Sequence, residues 1–73
     1  MQDRLLEIIN EILEDKDRAT IDTIDENTSL RRDIGMDSID LAVLTARIDE
    51  AYDVDIFEDG IIDTVGEVLK KLG

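Results

Sequence analysis

The sequence predicts an all-α fold: a small four-helix bundle, three main helices plus one short helix, with a long ordered loop between helices one and two. Three observations carry this expectation. Aliphatic residues recur at helical spacing in three separate segments. No strand-like alternation or hairpin turn competes with them. And a chain of 73 residues with 42% apolar content but one Phe, one Tyr and no Trp can build only a small core of Ile, Leu and Val.

The first helix is predicted near residues 3 to 15. Leu5, Ile8, Ile9, Ile12 and Leu13 fall at i, i+3, i+4, i+7 and i+8 with Glu, Asn and Arg between them, which places one buried stripe on an amphipathic helix. Asp3 is the expected N-cap, and Lys16 and Arg18 follow the C-terminal end, where cations suit the helix dipole. Residues 16 to 36 show no sustained period. Their Thr, Asp, Asn and Ser content reads as a connection, with apolar anchors at Ile21, Ile24, Leu30 and Ile34. Structureless connections beyond about 12 to 15 residues are usually functional or disordered, and the spaced anchors predict an ordered one. Gly35 marks a position that needs a positive φ or a close backbone approach.

The second helix is predicted from Ser38 to Ala51, with Asp37 as N-cap and Asp40 in the first turn. On a helical wheel Leu41, Leu44, Thr45, Ile48 and Tyr52 form the core stripe. Ile39, Val43 and Ala46 fall almost opposite, beside Glu50, and are expected to face water. Exposed aliphatics are ordinary when scattered, but three on one face with an acidic rim have the pattern of a partner-binding surface. Between 53 and 62, Val54, Ile56, Phe57, Ile61 and Ile62 surround Gly60 and predict one or two turns of helix. In the final helix Thr64 and Glu67 form a capping-box pattern, and Val65, Val68, Leu69 and Leu72 supply the stripe. Lys70 and Lys71 occupy its last turn, and Gly73 closes it. Without repeats or low-complexity segments, residues 1–73 read as one domain.

Composition excludes most chemistry. The chain has no Cys and no His, so disulfides, thiolate nucleophiles, imidazole bases and the usual zinc or haem ligands are ruled out. The N-terminal run MQDRLLEIINEILED carries charge in every turn, unlike a secretory leader or a membrane span. A soluble cytoplasmic monomer with no membrane association is the expectation. Twenty acids against eight bases give a net charge of -12, a field that repels nucleic acid and attracts proteins with basic surfaces. From Asp33 to Asp63 ten acids face a single base, Arg47. That placement reads as a docking surface, with a solvated face as the ordinary alternative.

Ser38 stands at the first position of the second helix, its hydroxyl directed outward near helix N–H groups that would stabilise a phosphate joined to it. Judged on spacing alone, a role in capping is the commoner use of such a serine. Hydrolytic nucleophile chemistry needs an activating base, and the chain offers no His. Lys16, Lys70 and Lys71 have no neighbourhood that signals desolvation. If Ser38 reacts, another protein must activate it.

The octet Asp33-Ile34-Gly35-Met36-Asp37-Ser38-Ile39-Asp40 is similar to the Asp-Leu-Gly-x-Asp-Ser-Leu-Asp signature of acyl carrier proteins, and the order of elements resembles that family along the whole chain. The resemblance implies a non-catalytic acyl carrier domain over residues 1–73. Ser38 would receive 4'-phosphopantetheine from coenzyme A and present cargo as a thioester. Asp37 would help the phosphopantetheinyl transferase and its magnesium recognise the site. Asp40, Asp49 and Glu50 would pair with basic docking patches on acyl-transfer, synthase or ligase enzymes of fatty-acid, lipid or polyketide-type biosynthesis. Asp55 and Asp59 would contribute more weakly, and Ile39 would dock beside the arm, joined by Val43 and Ala46 from the wheel. A tethered arm raises the effective concentration of its cargo, and charge-steered contacts release quickly. Three departures are visible: Ile39 replaces the usual leucine, Phe57 stands where proline is common, and Val43 where glutamate is frequent. They point to a specialised synthase or ligase rather than the general fatty-acid machinery.

The residues also admit other readings. Asp55, Asp59, Gly60 and Ile62 align with positions 1, 5, 6 and 8 of an EF-hand loop, but Phe57 and Gly66 fall at positions 3 and 12, where oxygen ligands belong. An acidic interaction domain that is never modified, binding divalent ions loosely, is a second reading. An aminoacyl or peptidyl carrier is a third, and the acidity around the serine favours acyl cargo over it.

Overall fold

The computed structural model describes residues 2–58, 60 and 62–72; the expectations for Asp59, Ile61 and Gly73 lie outside the described residues. Three helices follow one another along the chain: α1 (Gln2–Asp15), α2 (Ser38–Tyr52) and α3 (Val65–Leu72). Among the described residues the β structure is confined to an isolated antiparallel bridge between Ser29 and Thr64. The all-α expectation holds. Asp3 lies inside the first turn of α1 rather than at its cap, where its charge still suits the dipole.

The end of α1 is a Schellman turn. Asp17 takes the left-handed position with φ 59, the Arg18 N–H donates to Leu13 O at 2.8 Å, and the Asp17 N–H donates to Glu14 O at 3.0 Å. The chain therefore turns sharply, with Lys16 and Arg18 on either side of the turn residue.

Among the described residues between 53 and 62 there is no helix; turns and bends stand where the short helix was expected. Asp55 Oδ1 accepts from the Phe57 N–H at 3.0 Å, and Gly60 adopts φ 133. A side chain that bonds its own backbone two residues on competes with helix formation, and the Gly60 conformation lies outside the helical region.

The core joins α1 to α2 and closes on α3. Leu5, Ile8, Ile9, Ile12 and Leu13 are buried with Leu41, Leu44, Ile48, Val65 and Val68, each burial favouring the fold by about 1.5–3 kcal/mol. Thr45 and Tyr52, also expected in the stripe, are half-buried at its edge, and the Thr45 hydroxyl donates back to Leu41 O at 2.8 Å. On the surface Arg47 spans to α1, with 2.9 Å contacts to both Glu11 and Asp15.

The long loop is ordered by apolar anchors and polar ties. Ile24, Leu30, Ile34 and Met36 are buried, while Ile21 packs at the edge of the core. The Asn10 side chain donates to Ile21 O at 3.0 Å and accepts from the Ile21 N–H at 2.9 Å. Farther on, buried Ser29 donates to the Asp63 carboxylate at 2.9 and 3.0 Å. Next to it, Leu30 N–H donates to Asp63 O at 2.7 Å, Val65 N–H to Thr28 O at 2.9 Å and Gly66 N–H to Glu26 O at 2.9 Å. A Cβ on Gly66 would stand 2.7 Å from Glu26 O, so this approach requires glycine.

Candidate functional site

The candidate site is the N-terminus of α2. Asp37, in an extended conformation, caps the helix: its Oδ1 accepts from the Asp40 N–H at 2.9 Å, and Asp40 Oδ2 accepts from the Asp37 N–H at 3.2 Å. This reciprocal box satisfies the donors a helix end leaves open. Ser38 is therefore not needed as a cap. It is the first residue of the helix and exposed, and no group among the described residues hydrogen-bonds its hydroxyl.

Asp40 lies elsewhere than expected. The resemblance implies an acid that meets a partner, yet Asp40 is 2% exposed and paired inside the molecule. Lys16 Nζ lies 2.8 Å from Oδ1, and Arg18 Nη1 lies 3.5 Å from Oδ2. Oδ1 accepts no well-directed hydrogen bond, so the Lys16 contact acts through charge and proximity. The physical reason is the turn at Asp17, which aims both cations at the start of α2. Close contact with Lys16 is the largest cause holding the Asp40 carboxyl below its usual value of 3.8; the Asp37 N–H and Arg18 assist, and burial opposes. Lys16 is correspondingly raised, chiefly by Asp40.

Arg18 does more than neutralise. Its Nη1 donates to Gly35 O at 3.0 Å and its Nη2 to Ile34 O at 3.2 Å. Gly35 has φ 83, and a Cβ there would stand 2.6 Å from Arg18 Nη2. Both reasons anticipated for a glycine apply at once. Sequence reasoning missed this use of Lys16 and Arg18. The available signal was their position: they are the only bases between Arg4 and Arg31 in a strongly acidic chain.

Of the other expected surface residues, Ile39 is 66% exposed and Ala46, Asp49, Glu50 and Asp55 are exposed. Val43 is half-buried and packs against the core, so the apolar face is narrower than the wheel implied. Arg47, counted as the one base of the acidic stretch, turns toward α1. Among the described residues no group of three or more acids is placed to hold a metal ion, and no helix is long and apolar enough to cross a membrane.

The family model described as phosphopantetheine attachment site matches residues 3–72, and the chain belongs to that family. It is a phosphopantetheine carrier protein of a class that bears a covalently attached 4'-phosphopantetheine group and interacts with enzymes, the phosphopantetheinyl transferase among them. Neither the comparison with curated proteins nor that with solved structures returned a significant match.

Proposed function

We propose that this chain, residues 1–73 acting as one carrier domain, is an acyl carrier protein and that Ser38 bears its phosphopantetheine arm. The observation that carries the reading is the division of labour at the start of α2. Asp37 and Asp40 satisfy the helix end, which leaves the Ser38 hydroxyl exposed and without a hydrogen-bond partner among the described residues. A phosphodiester fits there, because the positive end of the helix dipole favours an anion at the first turn.

In the transfer, Ser38 Oγ attacks the pantetheine-bearing phosphorus of coenzyme A. A new P–O bond forms, the bond to the second phosphate breaks, adenosine 3',5'-bisphosphate leaves, and the hydroxyl proton passes to a base of the transferase. The attached arm then supplies a thiol that holds cargo as a thioester. This chain's own part is to present Ser38 and Asp37 in fixed geometry and to offer a docking face. We assign that face to Ile39, Val43, Ala46, Asp49, Glu50, Asp55 and Asp59, facing basic patches on acyl-transfer, synthase or ligase enzymes. The net charge of -12 favours acyl cargo and fast, salt-sensitive association. The half-apolar helix face favours a specialised synthase or ligase, in the cytoplasm.

The test is mass spectrometry of the protein after incubation with coenzyme A and a transferase. One phosphopantetheine is expected on the wild type and none on Ser38→Ala; incorporation elsewhere would overturn the assignment.

A further inference from the structure

We propose that the turn Lys16-Asp17-Arg18 is a positioning device for the modification reaction: it braces the residues on both sides of Ser38 in the geometry the transferase recognises. The inference rests on the reading that Ser38 is the attachment point.

The brace is a chain of contacts that reaches Asp37 before Ser38 and Asp40 after it and spares Ser38 itself. Arg18 holds Ile34 O and Gly35 O, and its Nη1 also meets Asp40 Oδ2. Asp40 in turn fixes Asp37 through the reciprocal cap. Asp37 and Asp40 flank the reacting residue at one position before it and two after it. The guanidinium passes where a side chain on residue 35 would stand, so the glycine of the loop is the space Arg18 occupies.

Charge neutralisation alone does not account for this arrangement. One cation suffices for one carboxylate, and Lys16 already lies 2.8 Å from it. The second cation is the one whose planar fork also reaches two carbonyls, a geometric task for which arginine suits and lysine does not. Global stability does not account for it either. The Asp40 side chain is 3% exposed and needs a cation, but Lys16 already supplies one, and the Arg18 side chain is 39% exposed, so solvent screening reduces what the second pair adds. Preorganisation does account for it: a site held by supporting contacts presents its reactive group without an ordering step at binding. If the brace is removed and only a fraction of molecules hold the presentable geometry, the apparent affinity falls by that fraction.

The test uses the full chain in its unmodified form, coenzyme A and a phosphopantetheinyl transferase, with initial rates measured well below the melting temperature. Arg18→Ala is expected to raise KM for the carrier about tenfold with kcat within about twofold. The sign discriminates, because losing a cation makes the chain more acidic and by charge alone would lower KM for a basic enzyme. Arg18→Lys keeps the charge and loses the fork, and should behave like Arg18→Ala. Gly35→Ala should raise KM as well, and should add less than its own effect when combined with Arg18→Ala.

A wild-type KM in both Arg18 variants, or a lowered melting temperature with unchanged KM, overturns the proposal. Full rescue by Arg18→Lys overturns the geometric argument. Should Arg18→Ala fail to fold, Arg18→Lys and Gly35→Ala carry the same comparison. A wild type left unmodified at Ser38 overturns this inference together with the attachment reading, whereas a modified wild type with indifferent variants overturns this inference alone.

Discussion

The two ends of α2 carry the same kind of residue to opposite uses. Near its start Asp40 is enclosed, held by Lys16 and Arg18 and bound into the cap. Near its end Asp49 and Glu50 stand exposed, with no base on their own helix except Arg47, which reaches α1 instead. What separates them is where the cations of α1 fall. Lys16 and Arg18, just beyond its C-terminal end, meet the start of α2, and among the described residues no base forms an ion pair with Asp49 or Glu50. An acid on a helix is therefore structural or available according to bases that lie far away in sequence.

The sharpest way to break this contrast is to remove the carboxyls in turn. Asp40→Ala removes a cap and strips two cations of their shared anion, and should lower unfolding stability by roughly 2 kcal/mol after allowance for the solvent access of the cations. Asp49→Ala should change it by no more than about 0.5 kcal/mol. Equal losses in urea titrations would erase the distinction.

Acid sharpens it further. The folded-state value of Asp40 is depressed below 3.8, so its contribution is present above that value and is lost as pH falls through the lower, folded one. The gap in stability between wild type and Asp40→Asn should stay level at neutral pH and shrink below about pH 4. The difference is the quantity to follow, because protonating the remaining acids of a chain with net charge -12 relieves repulsion and moves the raw curves the other way.

The smallest effect on the fold belongs to the other end. Glu50→Lys should leave the unfolding curve almost unchanged. It should slow association with a basic partner by about tenfold at low ionic strength and far less in strong salt. An association rate that is unaffected at low salt would remove Glu50 from the docking face.

The parts of this molecule legible in sequence are those whose signals are local. The stripes of α1 and α2 followed from helical spacing. The Asp37 cap and the Thr64–Glu67 box span three residues each, and Glu67 Oε1 does accept from the Thr64 N–H at 3.0 Å. The exposure of Ser38 followed from its place at the first helical position. The parts that escaped depend on distance or competition. Asp40 is enclosed by residues more than twenty positions earlier, and their aim depends on a left-handed Asp17, where glycine is the usual occupant. Met36 is buried although it stands at the variable position of the octet. The turn at 56–58 wins over a helix because one Asp55 oxygen bonds the backbone locally.

The hydrogen bonds that lead into α3 bear on how the protein opens. With eight residues, α3 is well below the length at which a helix persists alone, and two of its first N–H groups are satisfied by Thr28 and Glu26 of the long loop. The bonding predicts that the helix and that stretch of loop open together as a single sub-global unit. Native-state hydrogen exchange should give the amides of Leu30, Val65 and Gly66 one common opening free energy, below that of the α1–α2 pair. Separate values for Leu30 and Gly66 would show two units where the bonding describes one.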